Sequence, residues 1–141
     1  MNSILAAAKD FRQGIADSNG GGLDAFKEFP AGACGYASSL LGEYFFALGL
    51  GQWSYVSGFK KQCSQSHAWI ERDGVLVDIT ADQFNDISVS AWVTWSRSWH
   101  KQFLALPMGK KAARLHTYDE STQQMLVAAY TRIVATISRC D

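Results

Sequence analysis

The dipeptide Asp73-Gly74 constrains this 141-residue chain more than any other feature, because it stands between two β-rich runs, Ser66-His67-Ala68-Trp69-Ile70-Glu71-Arg72 and Val75-Leu76-Val77-Asp78-Ile79. Asp-Gly suits the positive-φ positions of a two-residue hairpin turn whose twist matches that of the strands it joins. Such a turn also fixes register. Arg72 falls opposite Val75, Ile70 opposite Val77 and Trp69 opposite Asp78. Side chains alternate between the faces of a strand, so His67, Trp69 and Asp78 project from one side of the sheet. His67 and Asp78 become diagonal neighbours about 7 Å apart in backbone terms, a gap that an imidazole bridges.

Asp78 interrupts an otherwise apolar strand, where an unpaired buried carboxylate would cost several kcal/mol. A hydrogen bond from one ring nitrogen of His67 satisfies it and leaves the other nitrogen free for proton transfer. The third participant is Cys34, in Phe29-Pro30-Ala31-Gly32-Ala33-Cys34-Gly35-Tyr36-Ala37. Residues Cys34 to Leu48 place Ala37, Leu40, Leu41, Tyr44, Phe45 and Leu48 at helical intervals, with Gly49 as a stop, so the thiol opens a buried helix. Unpaired amides and the positive end of the helix dipole favour a thiolate there and offer hydrogen bonds to an oxyanion. A second oxyanion donor stays open, since neither Gln13 nor Asn19 has a compelling spacing. Taken singly, Cys34 also reads as a small buried hydrophobe, His67 as a satisfied strand histidine and Asp78 as a strand-end cap. Together they form a nucleophile, a base and an orienter.

The remaining segments fill in an α+β domain. Ser3 to Asp17 carries Ile4, Ala7, Ala8, Phe11 and Ile15 at helical spacing, with Ser3 available as a cap. Asp17-Ser18-Asn19-Gly20-Gly21-Gly22 reads as a loop, either a plain connector or a hinge near the site. Gln52 to Phe59, Ser66 to Arg72, Val75 to Ile79 and Ile87 to Trp95 read as strands of a small antiparallel sheet. Trp92, Trp95 and Trp99 read as core and rim packing ahead of a substrate groove. Leu106-Pro107 through Lys110-Lys111 reads as a solvated basic turn. Ser121 to Ile137 brings Met125, Leu126, Ala129, Ile133, Val134 and Ile137 together as a last helix, capped by Asp119 or Ser121. That helix closes the core or serves as a face for a protein partner.

A chain of this length buries about two thirds of its unfolded surface, so residues 1–141 are expected to form a single domain without a cofactor or structural metal. The balance of 13 basic and 13 acidic residues speaks against a nucleic-acid or membrane footprint. The start of the chain lacks the basic, then apolar pattern of a signal peptide. Three cysteines, Cys34, Cys63 and Cys140, do not make a paired framework, so a reducing, cytoplasmic setting is expected, with export as an effector left open. Cys63 and His67 have a zinc-like spacing but no second pair, so no metal is expected. His100 and His116 lie outside any motif and read as surface or interface residues.

The segments Cys34-Gly35-Tyr36-Ala37, His67-Ala68-Trp69 and Val77-Asp78-Ile79-Thr80 resemble the cysteine, histidine and aspartate motifs of the transglutaminase-like superfamily within the papain-like fold. More loosely, they resemble the leader peptidases of lasso-peptide maturation. The likeness spans Phe29 to Phe84. It implies a nucleophile-bearing helix packed on a small antiparallel sheet, a core to which the apolar spacing adds N-terminal helices and a C-terminal helix. Cys34, His67 and Asp78 would take the catalytic roles on a peptide or protein substrate. The implied activity is a cysteine peptidase or amidase working through a thioester, with glutamine deamidation or transamidation, or a non-catalytic binding module, as alternatives. The chain departs from papain in having no glutamine a few residues before the cysteine, and from animal transglutaminases in lacking a calcium-site pattern.

Overall fold

In the computed structural model, which describes residues 2–61, 65–104 and 106–138, the hairpin forms at the expected dipeptide, with φ of 51° at Asp73 and 82° at Gly74. It joins β2 (Ser66–Arg72) to β3 (Val75–Asp78), with Arg72 opposite Val75 and Ile70 opposite Val77. Extending that register by one step sets Trp69 beside Asp78. The sheet is completed by β1 (Ser54–Phe59), β4 (Trp92–Thr94) and β5 (Leu106–Ala112). All pairings are antiparallel, in the order β4-β3-β2-β1-β5. The helices are α1 (Asn2–Asp17), α2 (Cys34–Ala47) and α3 (Glu120–Ser138). The described residues are therefore an α+β fold.

The two sides of the sheet are covered differently. On one side Ile70, Val75 and Val77 join a core with Phe11 and Ile15 of α1, Leu40, Leu41 and Phe45 of α2, and Leu126 and Ile133 of α3. Each such side chain, fully buried, contributes on the order of 1.5–3 kcal/mol. On the other side Val56, Trp69 and Leu76 pack with Phe84 and Phe103, from the segment that follows β3. Gly58 permits this cover, since a Cβ there would collide with the carbonyl oxygen of Phe103. Gly58 is paired with His67 across the β1–β2 ladder, so the cover closes directly over the histidine.

Several expectations change. Helix α1 begins at Asn2, which places Ser3 inside its first turn rather than at its cap. The glycine segment is not a hinge near the site. It forms a tight turn over Gly20–Gly22 against α3, where a Cβ on Gly21 would stand 2.7 Å from the Ala129 carbonyl oxygen. Leu48, expected on the buried face of α2, lies beyond its last turn and is 50% exposed. The expected strand from Ile87 to Trp95 shrinks to Trp92–Thr94, and Val75–Ile79 ends at Asp78, where the chain turns into a short 3-10 helix over Ala81–Gln83. The basic segment around Lys110 is an edge strand, not a turn. Pro107 and the exposed lysines are compatible with that edge, whose outer side needs no ladder partner. In α3, Asp119 caps as expected, its Oδ1 accepting the Thr122 amide at 2.8 Å. Met125 points outward while Leu126, Ala129 and Ile133 are buried.

Candidate active site

Asp78 is the hub of the site. It is buried at the end of β3, and its Oδ1 accepts the backbone amide of Thr80 at 3.0 Å. Its Oδ2 accepts Nε2 of His67 at 2.7 Å and Nε2 of His100 at the same distance. Burial alone would raise the Asp78 pKa, but the hydrogen bonds and positive fields of His100 and His67 prevail and hold the carboxyl well below the usual carboxylate range. The acid is an anion with three donors around it.

His67 is fully buried on β2, caged by the rings of Trp69, Phe84, Trp99 and Phe103, with centroids between 5.0 and 5.8 Å away. Desolvation in that cage pushes its pKa down. The hydrogen bond and charge of Asp78, followed by the hydrogen bond and charge of Cys34, outweigh it, and the ring is raised to about 9. With Nε2 committed to Asp78, Nδ1 is the nitrogen left for the thiol.

Cys34 is the first residue of α2 and is only partly buried, so the sulfur is the accessible member of the group. Helix geometry leaves the amides of this first turn without intrahelical acceptors. Tyr55 stands close by, since a Cβ on Gly35 would lie 3.2 Å from its hydroxyl oxygen. Burial, then the neighbouring Tyr118 and Cys34, push the Tyr55 phenol up to about 12, which keeps it protonated. Of the three residues picked out in the sequence, His67 and Asp78 are bonded directly, and Cys34 stands near enough to His67 to help raise its pKa.

His100, read from the sequence as a surface or interface residue, is instead 1% exposed and part of this cluster. It sits in a short 3-10 helix, His100–Phe103, packed against a tilted Trp92 ring and an edge-on Trp99 ring, and its Nδ1 is buried without a partner. A histidine in an aperiodic segment carries no sequence signal of contact with Asp78. Its neighbour Trp99 is an aromatic in the same cover, whereas Trp95 is 62% exposed. His116 is exposed, as expected. Cys63 and Cys140 lie outside the described residues.

The surroundings hold these groups rigidly. Trp69 donates its indole N–H to Glu71 at 2.8 Å, and Glu71 is paired in turn with Arg97. Arg12 of α1 makes a two-pronged bond to Asp82, both arms at 2.9 Å, and also donates to the carbonyl of Ile79 at 2.6 Å. Its guanidinium lies 4.6 Å from the centre of the Phe29 ring. One side chain therefore ties the approach to Cys34 to the turn after Asp78.

His67, Asp78 and His100 are also the set of ligand types that would suit a metal, their donor atoms lying within 4.8 Å of one another. As they stand, these donors are spaced as hydrogen-bond partners. Ligands around a tetrahedral zinc at about 2.05 Å stand about 3.3 Å apart, whereas both nitrogens here lie 2.7 Å from Oδ2, the separation of a charge-assisted hydrogen bond.

Searches of protein-family models, curated proteins and solved structures find no match to this chain. No helix among the described residues is long and apolar enough to cross a membrane.

Proposed function

We propose that this chain is a cysteine-dependent hydrolase of peptide or protein amides, a peptidase or amidase, built on a papain-like, transglutaminase-like core. The observation that carries the reading is the position of His67, which is held through Nε2 by a buried carboxylate and stands near enough to the Cys34 thiol for that thiol to help raise its pKa. Fold-level resemblance adds only analogy, so the weight rests on that geometry.

In the proposed reaction His67 takes the Cys34 proton on Nδ1. The sulfur lone pair attacks the carbonyl carbon, forming the S–C bond while the π pair moves onto oxygen. Collapse restores the C=O bond and breaks the C–N bond, and the leaving amine takes the proton from His67. A water then attacks the thioester, gives a proton to His67, and expels the sulfur, which recovers that proton. Asp78 remains an anion throughout and keeps the imidazole in one tautomer and one orientation. The low position of its pKa suits that role.

Site-resolved mass spectrometry after brief iodoacetamide treatment near neutral pH tests the nucleophile. Cys34 should be labelled at least about tenfold faster than Cys63 or Cys140, and His67→Ala should erase most of that advantage. Equal labelling of the three thiols would leave a binding module with no activated cysteine. Intact-mass measurement on a pool of candidate peptides then separates the chemistries. Hydrolysis yields fragments, deamidation adds about one mass unit, and transamidation adds the amine.

A further inference from the structure

Gln83 stands beside the reacting nitrogen without belonging to the Cys-His-Asp set. It closes the 3-10 helix Ala81–Gln83, five residues beyond Asp78, and its side-chain amide donates to the Thr80 carbonyl at 3.1 Å. The same amide nitrogen lies 3.5 Å from Nδ1 of His67, on the side of the ring turned away from Asp78. That separation is too long for a good hydrogen bond. An imidazolium carries a proton on Nδ1 and offers no lone pair, so in the charged state of His67 this ring gives the second amide hydrogen no acceptor. The amide therefore stands beside the ring nitrogen that Asp78 leaves free.

We propose that Gln83 is a catalytic residue, the second donor of an oxyanion hole whose first donor is the backbone N–H of Cys34. This rests on the hydrolase reading above. When the sulfur adds to a carbonyl, the π pair on oxygen needs donors at about 2.7–3.1 Å, already in place before the charge develops. In this role the first-turn amide of α2 supplies one donor and the Gln83 amide, beside the ring nitrogen that takes the thiol proton, supplies the other. The bidentate grip of Arg12 on Asp82 fixes the turn that carries Gln83, so its donor is preorganised. Neither Gln13 nor Asn19 competes for the role. Gln13 donates to Asp17 on the exposed side of α1, and Asn19 occupies a left-handed turn next to the buried glycines.

Two reactions of the same sulfur separate this role from general support of the site. Acylation of Cys34 by p-nitrophenyl acetate passes through a tetrahedral oxyanion and releases p-nitrophenolate; alkylation by iodoacetamide is a displacement at carbon with no oxyanion. In Gln83→Ala and the near-isosteric, uncharged Gln83→Met, acylation should fall by on the order of a hundredfold while alkylation stays within about twofold of the parent chain. The unchanged alkylation also certifies that the variants are folded around the thiol. Acylation that survives in both variants, or acylation and alkylation falling in parallel, would overturn the assignment. So would a parent chain whose Cys34 is alkylated rapidly yet never acylated. A parent chain whose Cys34 is no more reactive than Cys63 and Cys140 would bring down the hydrolase reading itself, and this assignment with it.

Discussion

The two faces of the β2–β3 hairpin are built on different physics. Facing the helices, Ile70, Val75 and Val77 meet Phe45, Leu41 and Phe11 in a layer held by volume and dispersion alone. Facing the other way, from the same strands, His67, Trp69 and Asp78 meet an aromatic cover, and of the buried polar atoms there Nδ1 of His100 is left without a partner while Asp78 holds both rings. The first face tolerates exchange of one aliphatic group for another of similar volume. The second does not, because an unmatched donor or charge there has no water to fall back on. A hairpin that needed only to be stable would carry the first kind of residue on both sides.

Breaking the polar face gives the larger effect. Asp78→Ala strands two buried imidazoles and the Thr80 amide, and should lower unfolding free energy by about 3–5 kcal/mol in a denaturant titration. In whatever fraction stays folded, acylation of Cys34 should fall by at least on the order of a hundredfold, because His67 loses its orientation. Ile70→Ala, on the apolar face one residue away from Trp69, should cost about 2–5 kcal/mol in the same titration. Its folded population should alkylate Cys34 at the parent rate, and a slowed rate would mean that the two faces are coupled through the strand rather than independent.

The gentlest perturbation is pH. His67 has its folded pKa raised to about 9 from an ordinary value near 6.5, so its contribution to stability is complete below the ordinary value and is lost as pH climbs through 9. Asp78 is shifted the other way. Its contribution is present above the usual aspartate range and drains away as pH falls toward its depressed folded value. Thermal melts should therefore show a plateau between these two limbs. Loss of the alkaline limb in His67→Gln, with the acid limb retained, would tie each limb to its residue.

Much of this face was legible in the chain because local rules acted on it. The Asp73-Gly74 turn dictates register, register dictates which side chains share a side, and the apolar spacing of α2 places Cys34 at a helix start. The cover was not legible. His100 reaches Asp78 from 22 residues away through a segment of short turns, and neither helical nor strand periodicity marks it. Gln83 was likewise hidden, since it lies one turn past a strand end whose position the sequence overran at Ile79. Strand β5 escaped because Pro107, Gly109 and two lysines mask its alternation, although Pro and Lys are residues that protect a sheet edge.

That one oxygen of Asp78 serves two rings has a consequence for any attempt to rebuild this pocket. Glutamate adds a methylene and would move both contacts together, and asparagine sets its NH2 group against both rings in one orientation and against the Thr80 N–H in the other. No single replacement keeps two imidazoles seated, so the hub, the ring that faces the sulfur and the ring behind it have to be exchanged as a set.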